Sequence, residues 1–196
     1  IEYIKTMTFG CLILTGQLRT FNKLLLYWKE FVECNNLDVC IQSEYSNSNE
    51  QEYIEDSNRL VGIRLKLVVI NPSNNYSIGN VIIDSSTDIR PTQAFRNYVL
   101  YSEMKKQGLW DKYNFIFRGR PDCKINENPP RINYSDNTFY CPKYDVRSRF
   151  GILYNDQYCY GDNKIMEKYC NLLNTYNLLI QDNKTILTGH GLEIKI

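Results

Sequence analysis

The sequence predicts a single three-layer α/β domain with a mixed, mainly parallel central sheet. Short, unbroken apolar runs recur along the chain, each bounded by Gly, Pro or Asn, and read as buried strands. The first four runs alternate with longer segments, at least two of them helical in their apolar spacing, the β-α-β pattern of an α/β fold. The chain has 196 residues, 43% of them hydrophobic and 23% charged, enough for one domain with a sizeable core.

The elements follow in order. Thr8–Thr15 (TFGCLILT) reads as a buried strand that Gly16 ends. Leu18–Cys34 carries Leu18, Phe21, Leu25, Trp28 and Val32 at helical spacing. Leu37–Gln42 and Arg64–Ile70 are the second and third strands, with a polar loop and short helix expected over Ser46–Asn58. Asn74–Arg90 reads as a long polar connection, a kind that is often functional. Pro91 suits the first turn of a helix reaching about Gln107, with Gly108 as its C-terminal cap. Tyr113–Arg118 is the fourth strand, and Asn126–Asn137 a polar loop. Thr138–Cys141 and Gln157–Tyr160 are short strands. Asp162 caps a helix to about Leu179, and LEIKI is a final strand.

Bulk charge narrows the partners. The formal net charge of +1 lacks the basic excess of a nucleic-acid binder, so no nucleic-acid partner is expected. No apolar run approaches the length of a membrane span. Seven cysteines, an odd number without a C-x-x-C pair, read as reduced and mostly buried thiols of a cytoplasmic protein. No signal peptide is legible at Ile1.

Ligands of such folds bind at the carboxyl ends of strands, near a switch in strand order. Three polar clusters fall at such places. In the first, Gly16-Gln17-Leu18-Arg19-Thr20, a glycine opens the way to a helix N-terminus that favours an anion. A cation in that first turn, Arg19, runs against the helix dipole unless it faces an anion such as a diphosphate. The second cluster runs from Arg118 to Asp122, where an apolar strand ends in Arg118, Arg120 and, after Pro121, Asp122. There Asp122 either binds a divalent cation or pairs with Arg118 or Arg120. The third is Asn155-Asp156-Gln157, where Asp156 stands in an aromatic stretch and suits a general base or, alternatively, a turn. His190, between two glycines, reads as a loop residue.

The order TGQLRTF, YNFIFRGRPD, then YNDQYCYGDNKIMEKYCNLL resembles a family of small glycosyltransferase-like proteins from large DNA viruses and bacterial polysaccharide clusters. The resemblance spans most of the chain. It implies that residues 1–196 form one domain of the Rossmann-like GT-A glycosyltransferase fold. It also implies a nucleotide-sugar donor, a glycan or glycoprotein acceptor, and a place in the cytoplasm or, for a viral member, the host cytoplasm or virion. The donor would lie on Gly16, Gln17, Arg19, Arg118, Arg120 and Asp122, with Asp156 as the base of an inverting transfer. GT-A enzymes hold manganese or magnesium on an Asp-x-Asp at a strand end. Here the stretch reads Arg120-Pro121-Asp122, and only Asp122 matches the second carboxylate. Two ways to neutralise the diphosphate therefore stand open: a cation on Asp122, or the arginines. A catalytically inactive nucleotide-sugar or glycan binder, such as a virion component, is the alternative.

Overall fold

A computed structural model describes residues 10–16, 21–45, 55, 58, 64–72, 76–78, 81–83, 89–133, 135–148, 151–154, 157–174, 185–188 and 191–194. Its central sheet is built from β1 (Gly10–Thr15), β2 (Leu37–Tyr45), β3 (Leu65–Pro72), β6 (Phe115–Gly119) and β9 (Tyr158–Asp162), in the spatial order β3-β2-β1-β6-β9. The first four are parallel, and β9 closes one edge antiparallel to β6. The expected mixed, mainly parallel sheet is therefore present, in a Rossmann-like order.

Both faces of the sheet are covered, which is why its strands are continuous apolar runs rather than alternating ones. Helix α1 (Phe21–Asn35) lays Phe21, Tyr27, Trp28, Phe31 and Val32 against Leu12, Leu14, Val39, Ile41, Phe115 and Phe117. On the other face, α2 (Ile89–Lys106) contributes Leu100 and Met104, and α3 (Asn163–Cys170) contributes Met166 and Cys170. They pack on Cys11, Ile13, Cys40, Ile116 and Cys159. The chain thus winds outward from β1 in both directions, through α1 on one face and α2 on the other. The order reverses between β1 and β6, and this is the switch point.

Local structure follows the sequence where backbone chemistry fixes it. Gly108 (φ 64°) closes α2: its N–H meets Lys105 O at 2.9 Å, and Leu109 N–H meets Met104 O at 2.8 Å, a Schellman ending. Asp162 caps α3 through Ile165 N–H at 2.9 Å, and its other oxygen takes Asn137 N–H at 2.7 Å. All seven cysteines are free. Four are buried, whereas Cys34 is exposed and Cys123 and Cys141 are half-buried.

Other expectations change. Asn74–Arg90 is not a bare connection: it holds a hairpin of β4 (Tyr76–Ile78) and β5 (Val81–Ile83) and the first residues of α2. Thr138–Cys141 makes a single bridge, Tyr140 to Tyr160, rather than a strand. A second hairpin, β7 (Lys143–Ser148) with β8 (Gly151–Tyr154), precedes β9. The LEIKI strand pairs in a third hairpin, β10 (Thr185–Thr188) with β11 (Gly191–Ile194), not in the central sheet. Helix α3 ends at Cys170, and the rest of the expected helix beyond residue 174 lies outside the described residues, as does most of Ser46–Asn58. Among the described residues, no helix is long and apolar enough to cross a membrane.

Candidate functional site

The carboxyl ends of β1 and β6 meet at the switch point, and their polar residues meet with them. Thr15 ends β1 and is fully buried. Its hydroxyl donates to Asn97 Oδ1 at 2.7 Å. It accepts from Gln93 Nε2 at 2.9 Å and from Arg118 Nε at 3.2 Å. One donor and two lone pairs are all that a hydroxyl has, so Thr15 is saturated. Gln93 also reaches Asn97 Oδ1 at 3.2 Å, which closes the network. Thr15, Arg118 and Gln42 share the α2 face of the sheet by strand alternation and register.

Gln93, Arg96 and Asn97 were not singled out from the sequence. All three are buried on α2, one or two turns before Leu100. Positions 93, 96, 97, 100 and 104 form one helical stripe that is polar toward the carboxyl edge of the sheet and apolar below it. That stripe was the available signal. An apolar search sees only its lower half.

Arg118 is wholly buried. Burial pushes the Tyr169 hydroxyl and the Cys170 thiol up from their ordinary pKa values, and the nearby charge of Arg118 opposes the rise at both. The guanidinium is thus part of the interior between the sheet and α3. Arg120 lies differently. The strand stops at Gly119, and Arg120 donates its N–H to Gln157 O at 2.9 Å. Its carbonyl accepts Cys123 N–H at 3.3 Å, so Arg120-Pro121-Asp122-Cys123 is a β-turn with proline at its favoured second position. The turn brings the side chains of Arg120 and Asp122 together in a bidentate pair, Nε to Oδ1 at 3.0 Å and Nη2 to Oδ2 at 2.9 Å. Partial burial works to raise the Asp122 pKa, but the hydrogen bonds and charge of Arg120 outweigh it and hold the carboxyl below its ordinary value. Of the two arginines, then, one is held by Thr15 inside the fold and the other by Asp122 at its surface.

Two further contacts fix this turn. Trp28 Nε1 donates to Pro121 O at 3.3 Å, and the indole edge lies over Gly119, where a Cβ would come within 2.8 Å of Cη2. This is why a glycine separates the two arginines. Trp28 is itself wedged edge-on between Tyr27 and Phe31, so it has no room to retreat. Gly119→Ala is expected to cost about 1–3 kcal/mol through overpacking. It should also shift Trp28 fluorescence, because the indole must leave the Pro121 carbonyl. Unfolding in urea followed by that fluorescence checks both, and an unchanged midpoint would show that the indole yields freely. On the other side of the turn stands Gly16, at φ 143°, where a Cβ would lie 3.3 Å from Pro121 Cδ. Its left-handed-side backbone and this close approach both favour glycine.

The described parts of the three sequence clusters therefore converge. Thr15 and Gly16 touch the Arg118–Asp122 segment, and Gln157 is bonded to Arg120. Gln17, Arg19, Asp156 and His190 lie outside the described residues. The described residues do not assemble a divalent-cation site at Asp122. Both its oxygens are held by Arg120, and no group of three His, Cys, Asp or Glu side chains gathers among the described residues. Comparison of the chain with protein-family models and with curated proteins finds no match.

Proposed function

We propose that the protein is a glycosyltransferase that uses a nucleotide-diphosphate sugar, on a domain of GT-A type. The observation that carries this reading is that Gly16, the Arg118–Asp122 segment and Gln157, distant in sequence, meet at the carboxyl-end edge of a Rossmann-like sheet. In this reading the donor diphosphate lies between Gly16, which follows β1, and the N-terminal end of α1, whose first turn carries no acidic residue. Arg120 neutralises the charge that grows on the leaving diphosphate, and Arg19 adds to it. Asp156, next to the residue that anchors Arg120, takes the proton of an acceptor hydroxyl on a glycan or glycoprotein. The acceptor oxygen bonds to the anomeric carbon as the bond from that carbon to the diphosphate oxygen breaks, and the electron pair leaves with the diphosphate. No step is assigned to a metal.

A second reading, a nucleotide-sugar binder without turnover, draws on the pairing of Asp122 with Arg120 in place of an open carboxylate. One experiment separates them. The pure protein is heated with uridine-, guanosine- and thymidine-diphosphate sugars, with and without manganese, and the stabilising donor is then given to a transfer assay. One donor is expected to raise the melting temperature by mass action, its diphosphate more than its monophosphate. A flat panel removes the basis for the site. A shift without transfer to any acceptor, or hydrolysis, leaves the binder.

A further inference from the structure

We propose that Tyr27 and Trp28 are positioning residues of the candidate site: from neighbouring places on α1 they grip the backbone on both sides of Asp122 and so fix where Arg120 and Asp122 present their side chains. The inference rests on the donor-site reading above and adds to it the residues that hold that site in shape. Before Asp122, Trp28 Nε1 donates to Pro121 O at 3.3 Å. After it, the N–H groups of Ile125 and Asn126 both donate to Tyr27 Oη, at 2.9 and 3.3 Å. Adjacent helix positions point about 100° apart, so the two side chains reach the segment at separate points.

An irregular surface segment has no need of such a grip. Strand β6 ends at Gly119, and backbone that leaves a sheet at the surface ordinarily gives its polar groups to water. Asn126 is exposed, so water is at hand. Protein holds the segment instead: Gln157 takes the Arg120 N–H, Arg120 O takes the Cys123 N–H, and α1 supplies the rest. The gripping side chains are buried, and Trp28 is packed edge-on against both Tyr27 and Phe31. The side chains on display are open to solvent, at 32% for Arg120 and 27% for Asp122. A fixed backbone beneath accessible charged groups is how a binding geometry is preorganised.

Tyr27→Phe isolates this role. It removes the hydroxyl that accepts both N–H groups and keeps the ring, which packs edge-on against Trp28 and stands under Lys124 Nζ at 5.9 Å from its centroid. The Asn126 N–H released by the change turns to water, so the fold loses little. The segment that carries Arg120 and Asp122 loses its hold on the far side. A small misplacement of a binding group is enough to weaken a ligand that depends on its geometry. Stability and affinity therefore separate in this variant.

The test is calorimetric titration of the full chain, in EDTA, with inorganic pyrophosphate and uridine diphosphate. The proteins are the wild type, Tyr27→Phe, Trp28→Phe and Val32→Ala, the last a control that removes core packing from the same helix but no hydrogen bond to the segment. Tyr27→Phe is expected to weaken both ligands roughly threefold to tenfold. Trp28→Phe should repeat the loss if Tyr27→Phe folds poorly, as checked by thermal unfolding. Val32→Ala should melt lower than Tyr27→Phe yet bind as the wild type does. Trp28 emission is the second readout and should change as the wild type binds, because the other tryptophan, Trp110, lies in the cluster on the opposite face of the sheet. Wild-type affinity in folded Tyr27→Phe, or an equal loss in Val32→Ala, overturns the inference, while binding by the wild type leaves the donor-site reading standing. Absence of binding in every protein, or binding without a change in Trp28 emission, overturns both.

Discussion

Thr15→Val is expected to destabilise the protein by about 3–5 kcal/mol. Valine matches threonine in shape, so the loss isolates the hydroxyl. That hydroxyl holds Asn97, Gln93 and Arg118 at once, at 2.7, 2.9 and 3.2 Å, in a place with no exposure to water. A hydrogen bond to a charged group contributes roughly 1.5–3 kcal/mol, and each neutral one about 1 kcal/mol. The valine methyl would also leave the Arg118 Nε proton facing carbon, which is the costly side of a buried polar contact. Thr15→Ser keeps all three bonds and loses one methyl group, at about 1 kcal/mol. Urea unfolding of both variants reads the difference. Equal losses would place the cost in packing and remove Thr15 as the hub. Because Arg118 and Gly16 flank the candidate site, Thr15→Val should also weaken donor binding at temperatures where it remains folded.

Asp156→Asn is expected to slow sugar transfer by about 10²–10⁴-fold with donor affinity close to that of the wild type. An acceptor hydroxyl is a poor nucleophile at neutral pH, and a carboxylate within hydrogen-bond reach removes its proton as the new bond forms. Asparagine keeps the shape and much of the hydrogen bonding but has no basicity. The expectation is tied to position: Gln157, the next residue, accepts the Arg120 N–H at 2.9 Å, beside the Arg120–Asp122 turn. Transfer rates and donor titrations on the same preparation separate the outcomes. A wild-type rate excludes Asp156 as the base. Lost donor affinity moves it into the donor site instead.

The stretch Arg118-Gly119-Arg120-Pro121-Asp122 shows where sequence reading succeeds and where it stops. Its placement at the end of a buried strand was legible, because a continuous apolar run followed by charges and proline admits few other readings. Its internal pairing was only one of two open possibilities. Which arginine Asp122 holds depends on where the strand ends, and that is set by Trp28 lying over Gly119 and by Gln157 taking the Arg120 N–H. Neither partner is near in sequence. Gln93 and Asn97 escaped notice for a related reason. Each is an ordinary polar helix residue until the switch point places it against Thr15.

By itself the sequence determined the layered α/β class, the central strands, the helices between them and the caps at Gly108 and Asp162. These rest on local physics: apolar periodicity, the backbone freedom of glycine and the short reach of an aspartate side chain to the N–H groups ahead of it. Only the tertiary structure decided the order β3-β2-β1-β6-β9, the exclusion of the three hairpins from that sheet, and the partition of Arg118 to the interior and Arg120 to the surface. Those outcomes depend on contacts between residues as far apart as Thr15 and Arg118. A short-range pattern carries no record of such contacts, because they form only when the strands come together to bury both faces of the sheet.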